Sequence, residues 1–103
     1  MTEFEDDEKG YKIEWLIPES NENEMEPIFL KLSEKGQFKE FGPSLSETFG
    51  YVLEGEVCIE ICLKRYFAKK GESIYFHATQ KHQIINHHNN DSLVLLVVTD
   101  SYL

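Results

Sequence analysis

Short extended segments separated by turn residues account for most of this chain. About eight stretches are rich in β-branched and aromatic residues, and clusters such as PESNENEMEP, EKG, KKG and HNND interrupt them. No stretch keeps a 3.6-residue apolar period for more than one or two helical turns. The pattern therefore predicts an all-β fold. The expected strands cover residues 11–17, 28–32, 48–53, 57–63, 66–68, 72–76, 82–87 and 92–99.

Strands of this number and spacing suit a closed barrel or a two-sheet jelly roll, because both arrangements hide most sheet edges. A chain of 103 residues is long enough for one domain with one core. The last segment, SLVLLVVT at residues 92–99, is apolar at almost every position. We therefore expect it to be a central strand that is buried on both faces.

The first ten residues, MTEFEDDEKG, hold five acids, one lysine and a closing glycine. This composition predicts a flexible acidic leader over residues 1–10, followed by a folded domain over residues 11–103. An acidic N-terminus is unlike a signal peptide, and no apolar run approaches the roughly 18 residues of a membrane span. We expect a cytoplasmic protein without a membrane partner.

Acidic residues outnumber basic ones by 19 to 10, which gives a formal net charge of -9. Such a charge repels phosphate backbones and predicts no direct binding of nucleic acid by this domain. Cys58 and Cys62 lie four residues apart in VCIEICL. On one strand they would share a face about 13 Å apart, too far for a disulfide. We expect two buried or half-buried thiols in a reducing compartment.

Three segments together resemble a cupin domain: MEPIFLKL, ETFGYVLEGEV and KKGESIYFHATQKHQIIN. More narrowly, the chain from residue 11 onward resembles the C-terminal cupin of transcriptional regulators that carry an N-terminal helix-turn-helix domain. The resemblance implies a single-domain cupin jelly-roll barrel that forms a homodimer and binds a small-molecule effector. DNA would be contacted through a linked helix-turn-helix domain.

The first cupin motif runs Gly, five residues, His, one, His, three or four, Glu, six, Gly. Gly36 and Gly55 stand at the two framing positions, so the register is well fixed. The three positions that supply metal ligands in the family hold Gly42, Ser44 and Thr48 instead. The frame of the motif is present without its ligands.

The second motif runs Gly, five residues, Pro, one, Gly, two, His, three, Asn. Gly71, His82 and Asn86 match it, while His77 and Thr79 occupy the proline and second glycine positions. His82 is thus the only retained cupin ligand position. A metal site needs about three or four converging donors, so we expect no metal in the barrel and no cofactor.

Strand alternation assigns faces to the histidines and to Glu47. His82, Ile84 and Asn86 share the face that the cupin register turns inward, whereas Gln83, Ile85 and His87 lie on the other face. Glu47 precedes Thr48 and therefore points away from the interior. We expect the His82 side chain to contact a small-molecule ligand, or to form a hydrogen bond with a neighbour such as Ser44, Thr48 or Asn86. His77 is expected in a turn, and His87 and His88 at the surface.

Two functional hypotheses follow, and a third is purely structural. The first is a metal-free sensor whose pocket is lined by Ser44, Thr48, Val52, His82, Ile84 and Asn86. The second is a metal-dependent cupin enzyme of isomerase or dioxygenase type, with a reduced site built on His82 and on His77 or Glu47. The third is a barrel that only dimerises. Because the histidine pair of the first cupin motif is missing, the sensor ranks first among these hypotheses. The identity of the effector stays open.

Overall fold

The computed structural model describes residues 2–17, 24–39 and 45–99. Within these ranges all of the regular secondary structure is β-strand. The strands are β1 (Thr2–Asp6), β2 (Tyr11–Trp15), β3 (Met25–Leu32), β4 (Glu47–Glu54), β5 (Glu56–Ile61), β6 (Lys64–Lys69), β7 (Ser73–His77), β8 (His82–Ile85) and β9 (Ser92–Thr99). The all-β prediction is confirmed, and each of the expected segments contains a strand. Among the described residues, no helix has the length and apolar character needed to cross a membrane.

The strands form two antiparallel sheets. The large sheet has the order β1-β2-β3-β9-β4-β7, and the small sheet has the order β6-β5-β8. Side chains from both sheets meet in one apolar core, which includes Ile28 and Leu30 of β3, Ile59 of β5 and Ile84 of β8. Two packed antiparallel sheets of this kind are the arrangement that the jelly-roll prediction requires.

β9 lies between β3 and β4, as a central strand should, but only one of its faces is fully buried. Val94, Leu96 and Val98 point into the core at 0–1% exposure. Leu93, Leu95 and Val97 alternate with them and are half-buried. The expectation of burial on both faces is wrong because, within the described residues, no second layer packs on the outer side of the large sheet.

The acidic N-terminal segment is part of the large sheet, so the expectation of a flexible leader is wrong for residues 2–6. β1 pairs with β2 in register from Thr2 opposite Trp15 to Asp6 opposite Tyr11. A turn joins the two strands: the Gly10 amide donates to the Asp6 carbonyl at 2.8 Å, and the Lys9 amide donates to the Asp6 carboxylate at 3.0 Å. Gly10 has a φ of 80°, which favours glycine.

The two cysteines do not share a strand face. Cys58 lies on β5 at 1% exposure, whereas Cys62 is exposed in the turn after β5, with a φ of 54°. Both thiols are free. The shared-face expectation fails because β5 ends at Ile61, one residue before the second cysteine.

The two framing glycines have steric reasons for being glycine. A Cβ on Gly36 would lie 2.1 Å from the Gly10 carbonyl oxygen, far inside van der Waals contact. Gly55 has a φ of 77° at the turn between β4 and β5, and a Cβ there would lie 2.5 Å from the Ser92 hydroxyl. A side chain at either position would clash, so the backbone can pass this closely only with glycine.

Candidate functional site

β4 and β8 carry most of the expected pocket residues into the space between the sheets. Thr48 and Val52 lie on the inward face of β4 at 1% and 0% exposure. His82 and Ile84 lie on the inward face of β8 at 3% each. Val52 and Ile84 belong to the apolar core cluster. Ser44, another expected pocket residue, lies outside the described residues. The sixth, Asn86, has a different role.

The His82 ring is fixed by its surroundings. Its Nδ1 lies 3.1 Å from the Gln80 carbonyl oxygen, so Nδ1 carries the proton and donates, and Nε2 is the acceptor of the ring. The Phe76 ring packs edge-on against it with a centroid distance of 5.1 Å. Burial lowers the pKa of His82, while the bond to Gln80 raises it to a smaller extent. The imidazole is therefore neutral at pH 7.

A cavity of about 330 Å³ lies beside His82, where β8 of the small sheet begins. The chain around it comes from β5, from the turn that follows β5, and from the start of β8. Its lining residues are Glu60, Cys62, Leu63, Lys81, His82 and Gln83. Apart from His82, these residues were not part of the expected pocket, because the sequence does not reveal that the turn after β5 lies beside the start of β8.

Asn86 is completely buried, and its side chain binds backbone groups. Its amide nitrogen donates to the carbonyls of Ser33 at 3.0 Å and Asn90 at 2.7 Å, and its amide oxygen accepts from the His88 amide at 2.9 Å. These bonds join the loop after β3 to the loop after β8. Asn86 thus fixes the two loops, and it does not line the cavity beside His82.

The described residues at the cupin ligand positions do not fit a metal ion. His82 offers one imidazole and Thr48 a hydroxyl, which is a poor ligand for a transition metal. Glu47 points away, as expected: its carboxylate accepts from the Tyr75 hydroxyl and lies 4.0 Å from the His77 ring. Among the described residues, the cupin ligand positions therefore support no metal chemistry in the barrel.

The remaining histidines lie outside the barrel interior. His77 is the last residue of β7 and not a turn residue, because β7 continues its pairing with β4 up to Glu47. His87 and His88 are exposed, as expected. The His88 Nε2 lies 2.9 Å from a carboxylate oxygen of Glu56.

Comparisons with known proteins agree with this geometry. A family model described as a cupin domain (Cupin_2) matches residues 42–99, more than half of the chain. No curated protein matches the chain. Solved structures under 25% identical to the chain share its fold. An HTH_3 family transcriptional regulator from Vibrio cholerae matches with a TM-score of 0.78 and 21% identity, over 92% of this chain and 53% of that one. This chain thus spans about half the length of that regulator.

Two further structures have similar scores. The Cupin_2 domain of an XRE family transcriptional regulator from Enterobacter cloacae gives a TM-score of 0.78 at 13% identity, over 89% of this chain and 98% of that one. A predicted oxalate decarboxylase from Thermotoga maritima gives 0.76 at 21% identity, over 86% and 79%. The shared fold thus occurs in structures described as regulator domains and as an enzyme.

Proposed function

Because the chain belongs to the cupin family and retains only His82 of the family's metal ligands, we propose that it is a metal-free sensing and dimerisation domain of a transcriptional regulator. The observation that carries this proposal is an intact barrel whose inward ligand positions hold a threonine and one neutral histidine. Cupin domains of two solved regulators have the same fold. A linked helix-turn-helix domain would contact DNA in the cytoplasm, while this domain binds an effector.

The effector class follows from the groups around the cavity beside His82. Glu60 and Lys81 bring opposite charges to it, Gln83 an amide, and Leu63 an apolar surface. A volume of about 330 Å³ suits a small metabolite. We therefore propose a small polar molecule with both hydrogen-bond donors and acceptors as the ligand. Of the six residues expected from the sequence, His82 lines this cavity, Val52 and Ile84 pack in the apolar core, and Asn86 holds loops in place.

Dimerisation is assigned to the outer face of the large sheet. Phe29, Leu95 and Tyr51 are register neighbours on β3, β9 and β4, and they lie on the outer face. Val97, Phe49 and Tyr75 form the adjacent row. Phe49, Tyr51 and Tyr75 are 39–59% exposed. A second copy of this chain is the proposed occupant, because burial of these aromatic and aliphatic rows against a copy would offset the repulsion between two chains of net charge -9.

A metabolite screen by thermal shift tests the sensing proposal. A true effector should raise the melting temperature of the wild type. The shift should be lost in Lys81→Ala and reduced in His82→Gln, and kept in the control Lys12→Ala, which lies on β2 away from the cavity. If every compound that stabilises the wild type stabilises Lys81→Ala equally, the cavity beside His82 is not the effector site.

The enzyme alternative makes a different prediction. Protein exposed to iron, manganese, nickel and zinc and then dialysed should retain about one metal ion per chain, and His82→Ala should lose it. This result would replace the sensor by a metal-dependent cupin enzyme. Retention of metal that does not respond to His82→Ala would leave the barrel site metal-free.

A further inference from the structure

Three metal-binding side chains converge on the outer face of the small sheet, and one of them, Glu60, also lines the cavity beside His82. Cys58 and Glu60 are two residues apart on β5 and so share a face. His87 follows β8 shortly after Ile85, the residue that pairs with Cys58. One ligand atom of each residue, thiol sulfur, carboxylate oxygen and ring nitrogen, lies within 4.8 Å of the other two.

We propose that Cys58, Glu60 and His87 bind a zinc ion, or a divalent ion of similar ligand preference. A thiolate, an imidazole and a carboxylate are the three ligand types that zinc takes from proteins. Around a tetrahedral zinc ion, ligand atoms lie about 3.5 Å apart, so the three atoms need to approach each other by at most about 1.3 Å. Glu60 is half-buried and His87 is exposed, so rotation of their side chains can supply this movement.

The surroundings of the three residues suit a bound cation. Cys58 is 1% exposed, so bulk water has little access to its thiol and would not compete with it for the ion. Arg65 of β6 donates from Nε to Oε2 of Glu60 at 2.9 Å, which orients the carboxylate and leaves its other oxygen available. The fourth coordination position would be open to a water molecule on the solvent side, where His87 is exposed.

Without metal, the thiol is in its protonated form. Burial raises the pKa of Cys58, the Glu60 carboxylate raises it further, and Arg65 opposes the two effects. Binding of the ion forms the metal–sulfur bond and releases the thiol proton to solvent. The bound ion would connect β5 to the loop of residues 86–91, which Asn86 already anchors.

Cobalt(II) is the probe for the first test, because a thiolate ligand to cobalt gives a charge-transfer band in the near ultraviolet. The whole 103-residue chain, kept reduced, should bind one equivalent with that band. Cys58→Ser should abolish the band. His87→Gln and Glu60→Gln should each weaken binding by at least about tenfold.

Matched controls separate this site from adventitious binding. Cys62→Ser removes the other thiol, and His88→Gln removes the neighbouring exposed histidine; both variants should bind cobalt as the wild type does. His87→Gln changes an exposed residue, so it tests the proposal even where Cys58→Ser lowers stability. Zinc should also raise the melting temperature of the wild type and of Cys62→Ser, but not of His87→Gln.

Four outcomes would overturn the proposal. One is cobalt binding without a thiolate band, and another is a band that disappears in Cys62→Ser and persists in Cys58→Ser. The third is equal weakening by His87→Gln and His88→Gln, which would indicate loose binding by the exposed histidines. Loss of metal in His82→Ala alone would also place the ion in the barrel and not at Cys58.

Discussion

His82 illustrates how burial decides the charge of a single side chain. The sequence register predicted that it points inward, and the structure places it at 3% exposure. Its bond to the Gln80 carbonyl was not predictable, because the path of the backbone between β7 and β8 depends on tertiary packing. The neutral His82 imidazole donates to a backbone carbonyl in the interior. In this state it is suited to hydrogen bonds and not to an ion pair.

The lowered pKa of His82 makes the stability of the protein depend on pH. Unfolded His82 has a pKa of 6.5, and folding lowers it because of burial. As pH falls below this value, the unfolded state takes up a proton before the folded state does. The stability that His82 contributes is therefore present above pH 6.5 and is lost as pH falls towards the folded pKa.

Urea unfolding at neutral pH and at about pH 5.5 measures this dependence. The free energy of unfolding of the wild type should fall more between the two conditions than that of His82→Gln. The comparison isolates His82, since the three exposed histidines are the same in both proteins. Equal losses in the two proteins would show that His82 is not desolvated in the native state.

Asn86 should be important for stability, because its amide binds backbone groups in two loops. Asn86→Ala leaves the Ser33 and Asn90 carbonyls and the His88 amide, which are part-buried where they bond Asn86, without this partner. We expect a loss of at least about 2 kcal/mol in the free energy of unfolding.

Asn89→Ala is the matched control for Asn86, because Asn89 is exposed in the same loop. It should change the free energy of unfolding by less than about 0.5 kcal/mol. Similar losses in both variants would mean that the loop, and not the buried amide, sets the stability.

At the scale of elements, strand content was predictable and strand partners were not. Alternation of β-branched and aromatic residues located the strands from β2 to β9, since their periodicity is local information. β1 was missed because acids occupy most of its positions and Phe4 is the one large apolar residue in it. The convergence of Cys58, Glu60 and His87 was also missed, because it depends on the pairing of β5 with β8.

Phe4 adds an aromatic side-chain contact to the backbone pairing that attaches β1 to the domain. Its ring lies 6.0 Å from the Tyr11 ring, and Lys12 forms an ion pair with Glu3 at 3.4 Å across the same strands. Phe4→Ala should lower the free energy of unfolding by about 1 kcal/mol and speed hydrogen exchange of the β1–β2 amides. Exchange in β9 should remain slow.

Glu8→Ala, in the exposed turn between β1 and β2, is the control for Phe4→Ala. It should leave the exchange of the β1 and β2 amides unchanged. If Phe4→Ala also has no effect on these amides, the backbone pairing and the ion pair hold β1 without the aromatic contact.

At the scale of the whole molecule, the net charge and the apolar outer face act against each other. The charge of -9 disfavours association, whereas the rows of aromatic and aliphatic side chains on the large sheet favour it. The fold class could be inferred from the sequence, and the residue types at the cupin ligand positions can be read from it directly. The outer face could not, because strand order decides which side chains lie next to each other.

Tyr51→Glu tests whether this face forms the dimer. The new carboxylate lies in the middle of the proposed interface and would be desolvated next to its copy, so the dimer should dissociate at least about tenfold more readily. Sedimentation equilibrium over a concentration series measures the change. Tyr66→Glu, on β6 at the edge of the other sheet, should dimerise as the wild type does.

A dimer that tolerates Tyr51→Glu but is broken by Tyr66→Glu would move the interface to the small sheet. A wild type that is monomeric at each concentration would remove dimerisation from the proposed function.

The position of β9 between β3 and β4 has a consequence for biosynthesis. A ribosome releases β3 and β4 before β9, and each of these earlier strands keeps an open edge until β9 arrives. The large sheet therefore closes late and by contacts distant along the chain, which in β proteins takes milliseconds to seconds. Any domain placed before this one on the same polypeptide would be folded before the barrel closes.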